Sequence, residues 1–217
     1  MVWSHGAVHK LTQANALPQL QPPRWALEEL VGRLVEISGN AVVSAAMAVI
    51  VDAQQNGHPC AWVSAGEPLF FPPDAAEGGV DLSALLVVRA GEPERAARAA
   101  DKLLRSSGFG VVVVDLGANH RLSMASQARL VKLAQKHNAT ALMITDKRSN
   151  QPSLSSLVSL RCAAERTWVG GDRFRCEVRS LKDKRRGPVW ADSELLRGPP
   201  GAGEVQGLGA LERRDHG

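Results

Sequence analysis

Short apolar runs alternate with amphipathic stretches between residues 32 and 145 of the chain. Five of the runs are rich in β-branched or large apolar residues and predict strands at 33–37, 60–63, 85–88, 111–114 and 141–145. Three stretches with helical periodicity lie among them, at 42–55, 93–106 and 121–136. The four valines from Val111 to Val114 are typical of a strand covered on both faces in a parallel sheet. This order predicts an α/β fold with a mostly parallel central sheet flanked by helices.

The pattern changes after residue 156. Three further strands are predicted at 157–165, 173–181 and 188–190, with tight turns at Gly170-Gly171 and Lys182-Asp183-Lys184. They predict a short antiparallel β extension at the sheet edge, near the C-terminal end of the core. Prolines interrupt residues 1–28, which predicts an irregular N-terminal arm, and Gly and Pro dominate residues 191–217, which predicts a disordered tail. The core is therefore expected to span residues 29–190.

Composition narrows the class of protein. Of the 217 residues, 44% are hydrophobic, but no apolar run reaches the roughly 20 residues that cross a bilayer. Cys60, Cys162 and Cys176 lack the spacing of a metal site or a disulfide framework, so we expect small buried side chains and no bound metal. The first ten residues lack the apolar run of a signal peptide, and a cytoplasmic protein is expected.

Charge is unevenly distributed, although the formal net charge is only +4. Residues 147–186 contain eleven Lys or Arg against four Asp or Glu. A basic segment of this kind either contacts nucleic acid or an acidic partner, or forms a solvated face, and the sequence leaves both interpretations open. The candidate contact residues are seven basic side chains at its end: Arg173, Arg175, Arg179, Lys182, Lys184, Arg185 and Arg186.

Ligands of an open parallel sheet bind beyond the carboxyl ends of its strands, and Gly39 and Asp115 follow two of these ends. In a phosphate-binding loop G-x-x-x-x-G-K-[ST], the second glycine admits the phosphates, the lysine adds positive charge and the hydroxyl binds magnesium. Here Gly39 is followed, after four residues, by Ser44-Ala45-Ala46. The loop length is kept, but all three groups are missing, so the sequence predicts a degenerate nucleotide site.

Two acidic residues remain that such a site would use. Asp115 stands where a carboxylate would help to hold the metal, and Glu94 where one would orient an attacking water. Each also has an ordinary structural interpretation. Asp115 would cap the turn after its strand, and Glu94 would be a first-turn acid at the positive end of a helix dipole. We therefore expect no ATP hydrolysis, no cofactor and no catalytic residue.

The order of these segments resembles the bacterial recombinase RecA over residues 32–190. The resemblance is carried by GRLVEISG at 32–39, AQQNGHPCAWV at 53–63, GVDLSALL at 79–86 and KDKRRGPVW at 182–190. It implies a RecA-like core, with Ala45 at the phosphate-loop lysine, Glu94 at the catalytic glutamate and Asp115 on the Walker B strand. The connections at 115–121 and 148–159 are much shorter than RecA's two mobile DNA-binding loops, which argues against ATP-driven filaments and strand exchange.

A small RecA-like protein with a degenerate ATP site resembles the ImuA family of translesion-synthesis accessory factors, which is also grouped with the cell-division inhibitor SulA. That resemblance implies a non-enzymatic role in the SOS response and a nucleoid-associated location. The implied partners are RecA, the polymerase-like protein ImuB and a DnaE-type polymerase. Trp3 and Trp25 would anchor the N-terminal arm, the analogue of a segment that RecA uses between subunits. The alternatives are a residual ATPase and a nonspecific, salt-dependent DNA-binding protein that stacks bases on Trp168 or Trp190.

Overall fold

Eight strands form one mixed sheet within residues 23–66, 71–118, 121–187 and 190–198, which are the residues that the computed structural model describes. The strands are β1 (Arg33–Ser38), β2 (Cys60–Ser64), β3 (Leu85–Arg89), β4 (Val111–Asp115), β5 (Thr140–Ile144), β6 (Leu160–Gly170), β7 (Arg173–Asp183) and β8 (Ala191–Arg197). The helices are α1 (Leu27–Leu30), α2 (Val42–Gln55), α3 (Pro72–Glu77), α4 (Pro93–Arg105) and α5 (Met124–His137). A short 3-10 turn at Leu82–Ala84 precedes β3.

The strands follow the order β3-β2-β4-β5-β1-β6-β7-β8 across the sheet, so β3 and β8 form its two edges. Neighbours from β3 to β6 are parallel, and β7 and β8 add as antiparallel strands. All five residues of the central strand β4 are buried, as its unbroken valine run predicts. The predicted fold class, a mostly parallel α/β sheet with an antiparallel extension, is confirmed.

Each face of the parallel sheet packs against its own helices. Trp62 and Val113 lie on the face that α2 covers, where Ile50 is fully buried. Val112 lies on the opposite face, which packs against α4 and α5 through residues such as Leu130. Because successive strand residues point to opposite faces, a sheet covered on both sides needs apolar residues at almost every strand position.

Helix α5 begins later than the pattern predicts. The expected start was residue 121, but the side chain of Ser123 accepts the N–H of Ser126 and caps a helix that begins at Met124. The helix ends at His137, and the next residue, Asn138, adopts a left-handed conformation with a φ of +50°. No helix of the described residues is long and apolar enough to cross a membrane.

The antiparallel extension is longer than predicted. β6 begins at Leu160 and continues to Gly170, and β7 continues through the predicted turn as far as Asp183. The third strand of the extension lies at Ala191–Arg197, beyond the predicted 188–190, and pairs with β7. Residues 188 and 189 lie outside the described residues, and Trp190 precedes β8 as a buried side chain.

The prediction of a disordered tail from residue 191 is therefore wrong for β8. The seven residues of β8 contain neither Gly nor Pro, and Leu196 packs against the core on the α2 side. The composition of residues 191–217 as a whole concealed this stretch, because Gly and Pro are concentrated beyond it. Residues 199–217 and most of the N-terminal arm, residues 1–22, lie outside the described residues.

A buried ion pair ties the extension to the start of β1. Arg33 and Asp183 have side chains that are each 1% exposed, with Nη2 and Oδ1 2.6 Å apart. The Trp190 indole and the N–H of Arg185 also donate to Asp183, at 3.0 and 2.8 Å. Burial alone would raise the pKa of Asp183, but the hydrogen bonds from Arg33, Trp190 and Arg185 outweigh it and lower the pKa to about 2.

Replacing Asp183→Asn should lower the free energy of unfolding at pH 7 by about 3–5 kcal/mol, because it leaves the Arg33 guanidinium buried without its counterion. Urea denaturation followed by circular dichroism measures the difference. Asp172→Asn is the matched control, since its ion pair with Arg197 is about half exposed and 3.8 Å long. Equal stabilities of the two variants would contradict this role of the buried pair.

The same pair should make stability fall in acid. The pKa of Asp183 in the folded chain, about 2, lies below the ordinary value of about 3.9. Its stabilisation is therefore complete above about pH 4 and is lost as the pH falls towards 2. The gap between wild type and Asp183→Asn should narrow over that window.

Candidate functional site

The turn after β1, where a phosphate-binding loop would lie, is closed against β6. β1 ends at Ser38 and α2 begins at Val42, so residues 39–41 alone connect them. Gly39 has a φ of +118°, and a Cβ on it would lie 2.2 Å from the carbonyl oxygen of Ala164. The N–H of Ala41 donates to the same oxygen at 3.1 Å. Glycine is required here because any side chain would collide with the β6 backbone.

The side chain of Asn40 fastens the turn a second time. Its Oδ1 accepts the N–H of Arg166 in β6 at 2.7 Å. The prediction that the length of a phosphate loop is kept is therefore wrong in structural terms. The four residues between Gly39 and Ser44 are divided between a tight turn and the first residues of α2, and the turn's polar groups bond to the sheet.

The three positions that would carry the second glycine, the lysine and the hydroxyl lie inside α2. Ser44 is half-buried, Ala45 is 2% exposed and Ala46 is fully buried. The N–H of Ala45 donates to Ala41 at 3.0 Å as an ordinary helical bond, and its carbonyl accepts the indole N–H of Trp25 at 2.8 Å. A longer side chain at position 45 would enter a close-packed core.

Asp115 is buried at the end of β4, on the face that α2 covers. Its Oδ1 accepts the N–H of Gly117 at 3.2 Å, and the carboxylate also bonds to the indole of Trp62. Burial is the largest influence on the pKa of Asp115 and raises it, while these two hydrogen bonds act in the opposite direction. The side chain caps the turn that follows its strand.

Glu94 is bonded through both carboxylate oxygens. The N–H of Ser123 donates to Oε1 at 2.7 Å, and the hydroxyl of Ser126 donates to Oε2 at 2.8 Å. The bond from the Ser123 N–H is the main cause of a lowered pKa at Glu94, which burial opposes. The carboxylate therefore joins the first turn of α4 to the N-terminus of α5. Since both helices lie opposite α2, the structure does not bring Glu94 and Asp115 into a shared acidic pair.

Four of the seven candidate basic residues are tied down within the domain. Lys182 donates to Ser153 Oγ at 3.4 Å, Lys184 to the carbonyl of Ser156, and Arg185 to the carbonyl of Val31 at 2.9 Å, while Arg186 pairs with Glu29. These contacts hold the turn after β7 against α1, β1 and the connection that precedes β6. Their charged groups are therefore engaged in the fold.

The other three lie on one face of β7. Arg179 pairs with Glu165 at 3.2 Å. Arg173 and Arg175 are exposed, and neither forms an ion pair with another residue in the described part of the chain. Arg173 and Arg175 are therefore the exposed members of the basic set whose side chains form no hydrogen bond or ion pair with another described residue.

The two tryptophans suggested for stacking differ. Trp190 is buried and bonded to Asp183, while Trp168 is 52% exposed and donates to the carbonyl of Gly171. Of the predicted arm anchors, Trp3 lies outside the described residues. Trp25 packs on its own domain, where its N–H donates to Asp192 Oδ2 at 2.8 Å and its indole to Ala45.

The sequence reasoning missed a buried acid in β1. Glu36 is 0% exposed, and its carboxylate accepts the N–H of Leu154 at 2.7 Å and the hydroxyl of Thr145 at 3.2 Å. It also pairs with Lys147 at 3.1 Å. A charged residue inside the strand predicted at 33–37 was the available signal.

Glu36 and Arg161 together fix the connection between β5 and β6. Arg161 is 3% exposed and donates to the carbonyls of Arg148 and Gln151. Lys147 donates to the carbonyl of Pro152 at 3.0 Å. The connection at 148–159, which the resemblance aligns with a mobile DNA-binding loop of RecA, is fixed here by hydrogen bonds to the buried Glu36 and Arg161.

Gly39→Ala should destabilise the chain more than Gly57→Ala. Both glycines have positive φ, so each substitution costs about 1–2 kcal/mol of backbone strain. Only at Gly39 does the new Cβ also meet the carbonyl of Ala164, which adds about 1–3 kcal/mol, because a Cβ at Gly57 would have nothing within 4 Å. Chemical denaturation of both variants checks the difference, and equal losses would contradict the close contact.

Known proteins share both the sequence and the fold. Residues 23–145 match the family described as the RecA N-terminal domain. The RecA protein of Pseudomonas putida is 38% identical over 187 residues, covering 76% of this chain and 51% of that protein. The RecA protein of Rickettsia conorii is 32% identical over 179 residues, covering 70% of this chain and 51% of that protein. The chain thus spans about half the length of these curated relatives.

A crystal structure of the RadB recombinase shares the fold, with a TM-score of 0.57 at 14% identity, covering 76% of this chain and 87% of that one. At that identity the likeness concerns the fold alone. The family match, by contrast, spans 123 of the 217 residues, and it includes the closed turn at Gly39 and the buried Asp115. From the sequence match and the shared sheet, we conclude that the chain belongs to the RecA family.

Proposed function

We propose that this RecA-family protein is a non-catalytic accessory factor of SOS-induced mutagenesis that binds RecA, ImuB or both. One observation carries the proposal: the segment that would form the phosphate loop is a closed turn that leads directly into α2. The domain keeps its core without the nucleotide site. The resemblance to the ImuA family supplies the setting, translesion synthesis in the cytoplasm near the nucleoid, with a DnaE-type polymerase as a further partner.

ATP and magnesium do not fit the residues present. A phosphate loop offers main-chain N–H groups and a lysine to the phosphates. Here the N–H of Ala41 bonds to Ala164, the N–H of Ala45 bonds within α2, and a buried alanine stands at the lysine position. The carboxyl of Asp115 is buried, with a raised pKa. We therefore derive no step of ATP hydrolysis for this chain.

The β3 edge of the sheet supports a role in protein binding. Leu86 and Val87 of this strand are 44% and 43% exposed, and Leu82 in the preceding turn is 42% exposed. Phe71, just before α3, is 63% exposed. Exposed apolar side chains grouped beside an open strand edge are typical of protein interaction sites. This edge suits contact with a protein partner such as RecA or ImuB.

Weak DNA binding is the second candidate function, and the exposed Arg173 and Arg175 favour it. Such binding would neutralise phosphates without reading bases, so it would be nonspecific and would weaken steeply as salt rises. The fixed connection between β5 and β6 argues against a mobile loop that inserts into a DNA axis. We therefore rank protein binding first.

The partner proposal is tested by biolayer interferometry with immobilised RecA and ImuB and the full chain in solution. We expect binding to at least one of them, with a Kd that does not change when ATP and magnesium are added. Leu86→Glu should weaken that binding roughly tenfold by placing a charge in an apolar contact. Met124→Glu is the matched control, because Met124 is 53% exposed on α5. Absence of binding to both proteins would refute the proposed function.

Restoring the lysine alone should not restore nucleotide binding. We expect Ala45→Lys to show no rise in melting temperature with ATP and magnesium, and to melt below wild type because its ammonium is forced into the core beside Trp25. Ser44→Lys is the control, since Ser44 is half-buried and its substitution should be better tolerated. An ATP-dependent rise in the melting temperature of wild type or Ala45→Lys would mean that the turn can open and hold phosphate.

A further inference from the structure

The second edge of the sheet, β8, presents a regular row of backbone groups. The N–H of Gly198 donates to the carbonyl of Asp172, and the carbonyl of Trp190 accepts the N–H of Ser180. The backbone N–H and C=O groups of an antiparallel strand point alternately towards its neighbour and away from it. Since Trp190 and Gly198 both bond to the β7 side, the even-numbered residues of β8 bond to β7. The odd-numbered residues, Ala191, Ser193, Leu195 and Arg197, therefore direct their N–H and C=O groups to the open edge.

β8 lacks several devices that usually protect an edge strand. Its seven residues contain no proline and no lysine, and its register with β7 is continuous, without a bulge. Natural edges commonly use these features to prevent strand addition. Leu195, whose backbone faces outward, is also 52% exposed. Among the described residues no strand pairs with this edge, so it can accept another extended segment.

Positive charge is concentrated beside the outward-facing backbone. Arg173 on β7 lies directly opposite Arg197 on β8, and Arg175 lies opposite Leu195. Like charges placed directly opposite each other destabilise a sheet. Within the described residues, the ion pairs of this group are limited to Arg197 with Asp172, 3.8 Å apart and exposed on both sides, which contributes little. Glu177 lies on the same face of β7, opposite Ser193, and forms no ion pair with these arginines among the described residues. An acidic partner would relieve this repulsion.

We infer that β8 accepts an acidic extended peptide segment, which adds as a ninth strand and places carboxylates against Arg197, Arg173 and Arg175. Side chains on one face of a strand repeat every two residues. The segment should therefore carry an acid and an apolar residue two positions apart, opposite Arg197 and Leu195. This inference rests on the proposed partner-binding function, because the segment would belong to the protein partner.

A peptide fits this surface better than single-stranded nucleic acid. Strand addition uses the outward N–H and C=O groups of β8, whereas a nucleic-acid strand needs aromatic platforms for its bases. The aromatic side chains of the extension, Trp168 and Phe174, are paired across β6 and β7 on the face opposite Arg173 and Arg175. Arg166 already lies over the Phe174 ring, 5.2 Å from its centroid.

The test measures binding of the full chain to a fluorescein-labelled octapeptide by fluorescence anisotropy at low salt. In this peptide Thr occupies every second position, and Glu and Leu take turns at the positions between, so that the acidic and apolar side chains share one face. The double variant Arg173→Glu/Arg175→Glu should weaken binding about tenfold or more. Ser193→Pro should weaken it about fivefold, because proline removes an outward N–H that β7 does not use. A peptide with Lys in place of Glu should not bind measurably.

Two control variants and a measurement of folding separate the loss of a specific contact from a general charge effect or a loss of fold. Arg89→Glu makes one substitution of the same kind, arginine to glutamate, on an exposed residue of the other edge, and Ser193→Ala keeps the backbone N–H; both should bind like wild type. Circular dichroism and the melting temperature show whether Ser193→Pro has kept its fold. If Ser193→Pro does not fold, the charge variants alone test the inference. The inference fails if the octapeptide does not bind, if the lysine peptide binds equally, or if the charge variants bind like wild type. It also fails if the substitution of Arg173 and Arg175 weakens the binding of a labelled oligothymidylate but leaves the binding of the acidic peptide unchanged.

The same variants distinguish this inference from the proposed function. If wild type captures RecA or ImuB and both the charge variant and Ser193→Pro capture it equally well, the proposed function stands and the β8 inference fails. If wild type captures neither protein but binds the acidic octapeptide with the expected losses in the variants, the proposed function fails and the acidic-segment site stands for another partner.

Discussion

The buried pair between Arg33 and Asp183 joins two parts of the sheet that are built by different rules. The parallel strands are held by apolar packing on both faces, while β7 and β8 form an antiparallel ribbon with one covered face. Arg33 also donates to the hydroxyl and the carbonyl of Ser159, at 3.0 and 2.7 Å, just before β6 begins. One guanidinium thus fixes where β6 starts and where β7 ends relative to β1. Within the described residues β8 pairs with no strand other than β7, so its place in the sheet depends on the same charge.

The closed turn at Gly39 shows that the nucleotide site differs in its backbone as well as in its missing lysine. Two bonds to β6, through Ala41 and Asn40, hold the chain where a phosphate would need free N–H groups. The helix then begins at once, and position 45 is built into the core with Trp25. Side chains and backbone therefore both differ from those of a phosphate-binding loop.

The parts of the fold that the sequence predicts are those with a strong local signal. The valine run of β4 and the helical periodicity of α2 and α4 depend on neighbours within a few residues, and they occur close to where they are expected. β8 was missed because a seven-residue strand was averaged with the Gly- and Pro-rich residues beyond it. The roles of Glu36 and Arg186 were missed because their partners are distant in sequence: Glu36 bonds to Leu154, and Arg186 to Glu29. A list of basic residues cannot distinguish charges held by the fold from accessible ones, such as Arg175, without those long-range contacts.

The two edge strands, β3 and β8, belong to one continuous sheet of the described residues, and this sets a distance between anything bound at them. Seven strand spacings of about 4.8 Å separate β3 from β8, which is roughly 34 Å. Segments docked at the two edges would not touch each other, because six strands lie between β3 and β8. Occupation of the two edges should therefore be statistically independent. The chain would act as a spacer of fixed length. The fraction of chain with both edges occupied would depend on the two separate affinities and on the partner concentrations, and not on the order of binding.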